Sequence, residues 1–316
     1  MGRRTKWGRA IDGVLLLNKD TGMTSNDALQ QVKRLFFAKR AGHTGSLDPL
    51  ATGVLPICLG EASKFSQYLL DADKRYSSTF CLGLTTETGD CDGTVIATCD
   101  AEHITQSRIE TALTAFRGEI KQIPSMYSAL KYQGKPLYKW AREGINVPRK
   151  ARPVIVYNYQ MTNFRGNGSH PEIDVEVHCS KGTYIRSLAE DLGKQLGVGA
   201  HVSRLHRRMV GSFDEVGSIT LQQLSDIRGD GKPEQLDRHL LPVDAPVQAL
   251  NKVIISDEMG YYFCQGQGVM SIEAYRFAAE GDKVRVCLEH GEFIGVAELK
   301  EGQLAPKRVV KRPVSQ

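Results

Sequence analysis

The first third of the chain divides into short apolar runs, one amphipathic segment and a glycine-rich loop. Residues 13–17 and 54–59 are continuous apolar runs, which predict two buried strands. Between them, apolar residues recur at helical spacing, and Ser25 is a candidate cap for that helix. The residues at helical spacing are Ala28, Leu29, Val32, Leu35 and Phe36. The loop, residues 42–53, separates the helix from the second strand.

The rest of the chain mixes strands and helices without regular alternation. The patterns predict strands over 76–82, 154–163, 173–179 and 201–213, and helices over 62–70, 104–116, 183–196 and from 219 onward, with Thr220 as a cap. A linker over 233–246 precedes three short strands at 253–255, 283–288 and 293–299, which indicate a small C-terminal β-domain. This order favours an α+β fold over a doubly wound parallel sheet.

A proline-rich and basic segment interrupts this pattern between residues 118 and 153. It predicts a long insertion with little regular core of its own. Residues 131–152 hold seven lysines and arginines against the single acid Glu143, and aromatic residues are interleaved with them. Cations for phosphates and rings for bases are typical of a nucleic-acid surface. A solvated helix or hairpin with buried rings is the alternative. The aromatic residues are Tyr127, Tyr132, Tyr138 and Trp140.

Composition narrows the class of protein. The 316 residues are 41% hydrophobic and 24% charged, which excludes wholesale disorder. No apolar run approaches the roughly 20 residues that span a bilayer, and no signal-peptide core is present. Seven cysteines without a CxxC pair argue against a disulfide framework or zinc ribbon, and reduced thiols in the cytoplasm are the simplest interpretation.

The positive charge is concentrated at the two termini. The formal net charge is +5, yet the first ten and the last ten residues each carry four cations and no acid, so 5 − 8 leaves −3 for the middle. Such basic arms often bind a polyanion, and a solvated terminus is the alternative.

The loop at residues 42–53 carries the most informative chemistry. Three glycines and one proline produce tight turns, and Asp48 is its one carboxylate. The loop lacks the GK[ST] ending of a P-loop, so a phosphate cradle is not supported. From the residues alone, Asp48 is either a catalytic candidate or an ordinary turn residue.

Six ordered blocks of sequence resemble the TruB family of tRNA pseudouridine synthases. The resemblance covers roughly residues 11–210, and it is closer to the stand-alone bacterial enzyme than to the archaeal and eukaryotic relatives that use guide RNAs. The blocks are LLLNK (15–19) with GMTSN (22–26), GHTGSLDPLATGVLP (42–56), GEASKF (60–65), DKRY (73–76), QIPSMYSALK (122–131) and CSKGTYIR (179–186).

The resemblance implies an enzyme that isomerises uridine-55 in the T-loop of tRNA to pseudouridine. The base is flipped out to be reached, and the reaction needs no metal and no organic cofactor. It further implies a cytoplasmic monomer whose partner is tRNA. The alternative is an RNA-binding or tRNA-folding chaperone in which catalysis is not required.

Three catalytic residues are implied by the matching motifs. Asp48 corresponds to the family's catalytic aspartate, which either attacks the nucleotide or assists glycosidic cleavage and proton removal. Arg186 corresponds to the arginine that pairs with it and keeps it ionised. Tyr76 is expected to stack on the flipped uracil and to serve in proton removal from C5. Without the resemblance, a core tyrosine and a surface ion pair would explain Tyr76 and Arg186.

Four further residues are implied to bind the substrate together with Tyr76. His43 is expected to contact the RNA and help hold the flipped state, and Lys64 to supply a cation near the loop. Tyr184 and Leu205 are expected to line the uridine pocket. Core packing is the alternative for the last two.

The resemblance also implies a domain plan. A basic arm (1–10) precedes a pseudouridine synthase domain (11–250) with a mixed, largely antiparallel central sheet flanked by helices and an RNA-binding insertion at about 118–153. A small PUA-like β-barrel with a basic tail occupies 251–316. The insertion is expected to press into the T-loop and to become ordered on binding.

Two other motif matches fail. Asp90, Asp92 and Gly93 imitate part of a calcium loop, but Thr88 and Cys99 occupy ligand positions that need carboxylates. The segment 128–131 matches the SxxK motif of acyl-enzymes, but the partner motif KTG is absent. A serine hydrolase is therefore the weakest of the three functional hypotheses.

Overall fold

The computed structural model describes residues 7–166, 168–271 and 274–311. The strands are β1 (Gly13–Lys19), β2 (Ala41–His43), β3 (Thr52–Leu59), β4 (Lys74–Leu82), β5 (Leu84–Thr86), β6 (Val95–Thr98), β7 (Gly118–Gln122), β8 (Lys131–Tyr132), β9 (Lys135–Pro136), β10 (Arg152–Arg165), β11 (Glu172–Cys179), β12 (Ala200–Val210), β13 (Phe213–Asp214), β14 (Ile219–Thr220), β15 (Lys252–Ile255), β16 (Val269–Met270), β17 (Lys283–Leu288), β18 (Phe293–Lys300) and β19 (Gln303–Val309).

The α-helices are α1 (Ser25–Leu35), α2 (Ser66–Leu70), α3 (Gln106–Thr114), α4 (Leu137–Arg142), α5 (Ile185–Leu196), α6 (Leu221–Arg228), α7 (Asp257–Cys264) and α8 (Ala274–Phe277). Short 3₁₀-helices span Gly60–Phe65, Pro233–His239 and Ala245–Val247. No helix among the described residues is long and apolar enough to cross a membrane.

The central sheet has the order β14-β1-β3-β12-β4-β11-β10-β7, with β2 paired to β3 and β13 paired to β12. Its pairings are antiparallel except for β1 with β14 and β3 with β12, which are parallel. The predicted α+β class, with a mixed and largely antiparallel sheet, is confirmed. Helices α1, α3, α5 and α6 contribute to the main hydrophobic core on one face of this sheet.

Helix α1 corrects one detail of the sequence analysis. Its N-cap is Thr24, whose side chain accepts a hydrogen bond from the Asp27 amide, and the Asp27 carboxylate accepts one from the Thr24 amide in return. Ser25 is the first helical residue and is buried. Because Thr24 performs the capping, the Ser25 hydroxyl is available for another contact. The predicted cap Thr220 is confirmed for α6.

The basic insertion contains more regular structure than its composition predicts. Strand β7 joins the edge of the central sheet by pairing with β10, and β8 pairs with β9 ahead of α4. Leu137 and Val147 are buried. Neither residue belongs to one of the hydrophobic core clusters, so the segment has little core of its own, and backbone pairing organises it.

The predicted linker is also partly regular, since Pro233–His239 is a 3₁₀-helix whose Leu236 reaches the main core. Beyond it, β15-β17-β18-β19-β16 form a five-stranded sheet with a hydrophobic core of its own. The three strands predicted there are present, and the sheet agrees with a PUA-like domain. Of the basic arms, residues 1–6 and 312–316 lie outside the described residues.

Candidate active site

The loop that carries Asp48 connects β2 to β3 and is fixed from both sides. At one end, the Ser25 hydroxyl donates to the Leu47 carbonyl (3.1 Å) and accepts from the Leu47 amide (2.7 Å). At the other end, Gly53 has φ +102°, and a Cβ there would lie 2.3 Å from the Arg207 carbonyl oxygen. Only glycine permits this close approach of β3 to β12. The local sequence therefore holds Asp48 in one place.

Arg186 meets Asp48 from the first turn of α5. The Arg186 Nε lies 3.0 Å from the Asp48 Oδ2, so the predicted pair is present. The Arg186 side chain is only 5% exposed. Its other nitrogens donate to the carbonyls of Thr88 and Tyr127, each at 2.8 Å. A surface ion pair is thus the wrong description, because the guanidinium is a buried hub that joins three separate loops.

Asp90 is a second carboxylate at the same guanidinium, and the sequence analysis did not identify it as such. Its Oδ2 lies 3.4 Å from the Arg186 Nη1, and its side chain is 6% exposed. The Thr88 hydroxyl and the Asp92 amide donate to its Oδ1. Two residues of the calcium-like pattern, Thr88 and Asp90, therefore hold Arg186. Within the described ranges, no three His, Cys, Asp or Glu side chains come together to hold a metal ion.

The electrostatic environment favours a basic Asp48 carboxylate. Burial raises its pKa above the ordinary value of 3.8, the Arg186 charge lowers it, and the Asp90 charge raises it again. Burial is the largest of these effects. The side chain is nevertheless 37% exposed, so a reactant can reach it. The arrangement provides a carboxylate that is oriented by a fixed cation and is a stronger base than one in water.

The Lys19 side chain anchors the loop that carries Asp48. Its side chain is fully buried, and the ammonium donates to the carbonyls of Asp20 and Met23 (2.8 Å each) and of Pro49 (3.4 Å). Burial lowers its pKa to about 8. Lys19 thus ties the end of β1 to the residue that follows Asp48. It falls in the first matching sequence block, which was the available signal.

Tyr76 lies on β4 in the middle of the sheet, and its cross-strand partners are Val177 and Arg207. Burial raises the pKa of the Tyr76 phenol, whereas a hydrogen bond from Arg207 and the Arg207 charge oppose that increase. The Asp48 charge adds a smaller contribution that raises the pKa of Tyr76. Tyr76 is half-buried and packs against the main hydrophobic core.

The four predicted binding residues are divided by the structure. His43 ends β2 directly before the loop, and burial lowers its pKa. Tyr184 immediately precedes α5, and its amide donates to Gln122 Oε1 at 2.9 Å. Leu205 is buried on β12 and lines a groove of about 570 Å³ with Leu50 of the loop. Lys64 is not brought into this group.

Lys64 lies instead at the junction with the C-terminal sheet. Its ammonium binds Glu61 (2.6 Å) and donates to the Val309 carbonyl (2.8 Å). Beside it, Phe65, Val247 and Val296 form a small buried cluster. The contact of Lys64 with Val309 thus joins the 3₁₀-helix Gly60–Phe65 to β19 of the C-terminal sheet. The SxxK match also has no site geometry, since Ser128 is buried whereas Lys131 is exposed on β8.

The site thus consists of a carboxylate paired with a buried arginine, in a loop that leads into the mixed sheet. Residues 33–185 match the TruB family pseudouridylate synthase N-terminal domain, 186–248 the tRNA pseudouridylate synthase B C-terminal domain, and 252–310 the pseudouridine synthase II TruB C-terminal model. The chain belongs to the TruB family of pseudouridylate synthases.

Individual relatives are similar to this chain over nearly its whole length. The tRNA pseudouridine synthase B of Saccharophagus degradans is 52% identical over 313 residues, covering 99% of this chain and 100% of the relative. That of Vibrio vulnificus is 50% identical, covering 98% of each chain. Among solved structures, a Cbf5–Nop10–Gar1 complex matches with TM-score 0.70 and 28% identity over 95% of this chain and 84% of that one. An H/ACA RNP bound to a substrate RNA containing 2′-deoxyuridine matches with TM-score 0.71 and 25% identity over 98% and 92%.

Proposed function

We propose that this chain isomerises uridine-55 in the T-loop of tRNA to pseudouridine, with Asp48 as the catalytic carboxylate. The observation that carries the proposal is the contact between Asp48 and the buried Arg186, in a chain about half identical to curated tRNA pseudouridine synthases B. The sequence matches supply the reaction class and the substrate RNA. The contact between Asp48 and Arg186 supports the choice of these two residues.

The reaction is an isomerisation, so its atoms balance within the nucleotide. The bond from N1 to C1′ breaks, and a bond from C5 to C1′ forms after the base has turned. The C5–H electron pair then forms the C5–C6 double bond, the pair of the C6–N1 double bond moves to N1, and N1 gains a proton as C5 loses one. Asp48 either attacks the nucleotide or assists cleavage and proton removal, and both routes require it ionised. Arg186 maintains that state.

Other residues near Asp48 bind the base and take part in proton removal. Tyr76 stacks on the flipped uracil and accepts the C5 proton. Tyr184 and Leu205 enclose the base, and His43 contacts the RNA at the start of the loop. Because Lys64 contacts Glu61 and Val309 instead, we assign it no role at the base.

Contacts outside the pocket bind the phosphate backbone of the RNA. In the insertion at about 118–153, Lys135 lies over the Trp140 ring (4.1 Å) and Arg142 over the Tyr138 ring (5.4 Å). This combination of cations and rings suits an RNA surface. We assign RNA contacts to the insertion, to the C-terminal domain at about 251–316 and to the basic arms. We further propose that the enzyme acts in the cytoplasm as a monomer, which light scattering of the purified protein tests.

The experiment compares two T-loop stem-loop transcripts that differ only at position 55, which is uridine in one and cytidine in the other. Pseudouridine is detected as a carbodiimide-dependent stop of reverse transcription. A stop at uridine-55 alone, and none in the cytidine transcript, is the expected result. Tight binding of both transcripts with no stop in either would contradict the proposal and favour an RNA-folding protein. A stop at another uridine would show that the enzyme modifies a uridine other than uridine-55.

A further inference from the structure

Arg207 is a buried cation without a carboxylate partner in the part of the chain that the structure describes. It lies on β12 between β3 and β4, and its side chain is among the largest fully buried ones, with the residue 1% exposed. Its Nε donates to the Val54 carbonyl at 2.8 Å, and one terminal nitrogen donates to the Gly45 carbonyl at 3.4 Å. A buried charge compensated only by neutral groups is expensive to keep, so its position requires a reason.

The neighbour of Arg207 on the next strand supplies that reason. Arg207 on β12 and Tyr76 on β4 are direct cross-strand neighbours, so their side chains lie on the same face of the sheet, and the Arg207 charge opposes the rise that burial causes in the pKa of the Tyr76 phenol. We infer that Arg207 is a positioning residue for Tyr76: it fixes the phenol oxygen and supplies the positive charge that a phenolate at this place requires. The inference rests on the proposed function, in which Tyr76 accepts the C5 proton.

The charges around this pair agree with the inference. Lys19 and Lys74 are both buried, each with a pKa of about 8, and the Arg207 charge contributes to lowering both as well as that of His43. The Lys74 ammonium donates to carbonyls of Leu69, Leu70 and Ala72 rather than to a carboxylate. Burial and the Asp48 charge both disfavour ionisation of Tyr76, and the Arg207 charge opposes them.

Proton removal from C5 begins with the ionisation of Tyr76. Tyr76 loses its proton to water while Arg207 compensates the phenolate charge. The phenolate then takes the C5 proton of the reattached base, the C5–H electron pair forms the C5–C6 double bond, and N1 takes a proton from water. Arg207 touches neither the base nor the sugar in this step, so it acts through Tyr76 alone.

The test is a double-mutant cycle of Arg207→Lys and Tyr76→Phe, measured as single-turnover pseudouridine formation at enzyme excess. Arg207→Lys alone is expected to reduce the rate at least about tenfold, the effect of one charge-assisted hydrogen bond, and to shift the rise of rate with pH to higher pH. In the Tyr76→Phe background, Arg207→Lys is expected to reduce the rate by less than about a further twofold. Arg208→Lys, the neighbouring exposed arginine paired with Glu176 and Glu215, is the matched control.

Two results would overturn the inference while leaving the proposed function intact. One is that Arg207→Lys reduces the rate by the same factor with and without Tyr76→Phe. Independent effects of this kind would mean that Arg207 acts through the loop carbonyl at Gly45 instead. The other is an unchanged pH profile. An inactive wild type would instead overturn the proposed function.

If Arg207→Lys does not fold, the wild-type protein labelled with ¹³C at the tyrosine ζ-carbon provides the answer. Tyr76, assigned through Tyr76→Phe, is expected to ionise at lower pH than Tyr159, a buried tyrosine whose hydroxyl has no hydrogen-bond partner among the described residues. Ionisation of Tyr76 together with Tyr159 or after it would refute the role of Arg207.

Discussion

Replacing Arg186 by alanine removes the hub of the active site, and the two carboxylates it holds respond differently. Asp90 is almost fully buried, so without the guanidinium it becomes an uncompensated buried charge, which costs about 3–5 kcal/mol of folding stability. Asp48 is more exposed, and solvent screens its ion pair, so its share of the stability is about 1 kcal/mol or less. The stability loss therefore arises mainly from Asp90.

The activity loss, in contrast, arises from Asp48. A charge-assisted hydrogen bond of about 1.5–3 kcal/mol corresponds to a rate decrease of about 10- to 150-fold. Arg186 is also the largest influence that lowers the pKa of Asp48 against burial. Without it the pKa rises further, so the carboxylate is ionised only at higher pH. The acid limb of the pH–rate profile therefore moves to higher pH in Arg186→Ala.

Single-turnover pseudouridine formation between pH 5 and 9, with RNA binding and urea unfolding measured in parallel, tests both parts. Arg165→Ala is the matched control, because this arginine forms an exposed ion pair with Asp174 and Glu172. Arg186→Lys, which keeps the charge but not the planar geometry, is expected to recover part of the rate. A folded Arg186→Ala variant with wild-type turnover, or with an unmoved acid limb, would refute the reasoning.

Three further predictions follow from the loop and the basic insertion. Ser25→Ala leaves the Leu47 amide without its buried partner, so we expect a loss of about 1–3 kcal/mol in urea unfolding; an unchanged midpoint contradicts the anchoring role. Gly53→Ala forces a Cβ against the Arg207 carbonyl and is expected to lower the melting temperature far more than Gly22→Ala, where a Cβ meets open space; equal effects would refute the steric argument. Lys139→Ala is expected to reduce the slope of log affinity against log salt by about one phosphate contact, and an unchanged slope would remove this lysine from the RNA interface.

Local patterns predicted much of the fold because they report on elements that short segments determine. The apolar runs of β1 and β3, the strands β15, β17 and β18, and the cap at Thr220 follow from periodicity and side-chain chemistry. The cap of α1 was displaced by one residue, since Thr24 and Ser25 have equivalent hydroxyls and only the contact of Ser25 with Leu47 distinguishes them.

The site could be predicted only as far as the matching motifs extend. Asp48, Tyr76 and Arg186 lie in those motifs, and the structure brings Asp48 and Arg186 into contact. Asp90 lies 96 positions before Arg186, and only the fold brings them together. Arg207 stands in a run of basic residues typical of a surface strand, so its burial was not visible in the sequence.

The most direct test of the central claim is tritium release from a T-loop transcript labelled with [5-³H]uridine, because isomerisation removes the hydrogen at C5. Wild type and Asp48→Asn, an isosteric change that removes the charge, are compared at enzyme excess with binding measured on the same RNA. The account predicts release by wild type, and none by a variant that binds the RNA as well as wild type does. Tritium release by Asp48→Asn at the wild-type rate would contradict the account.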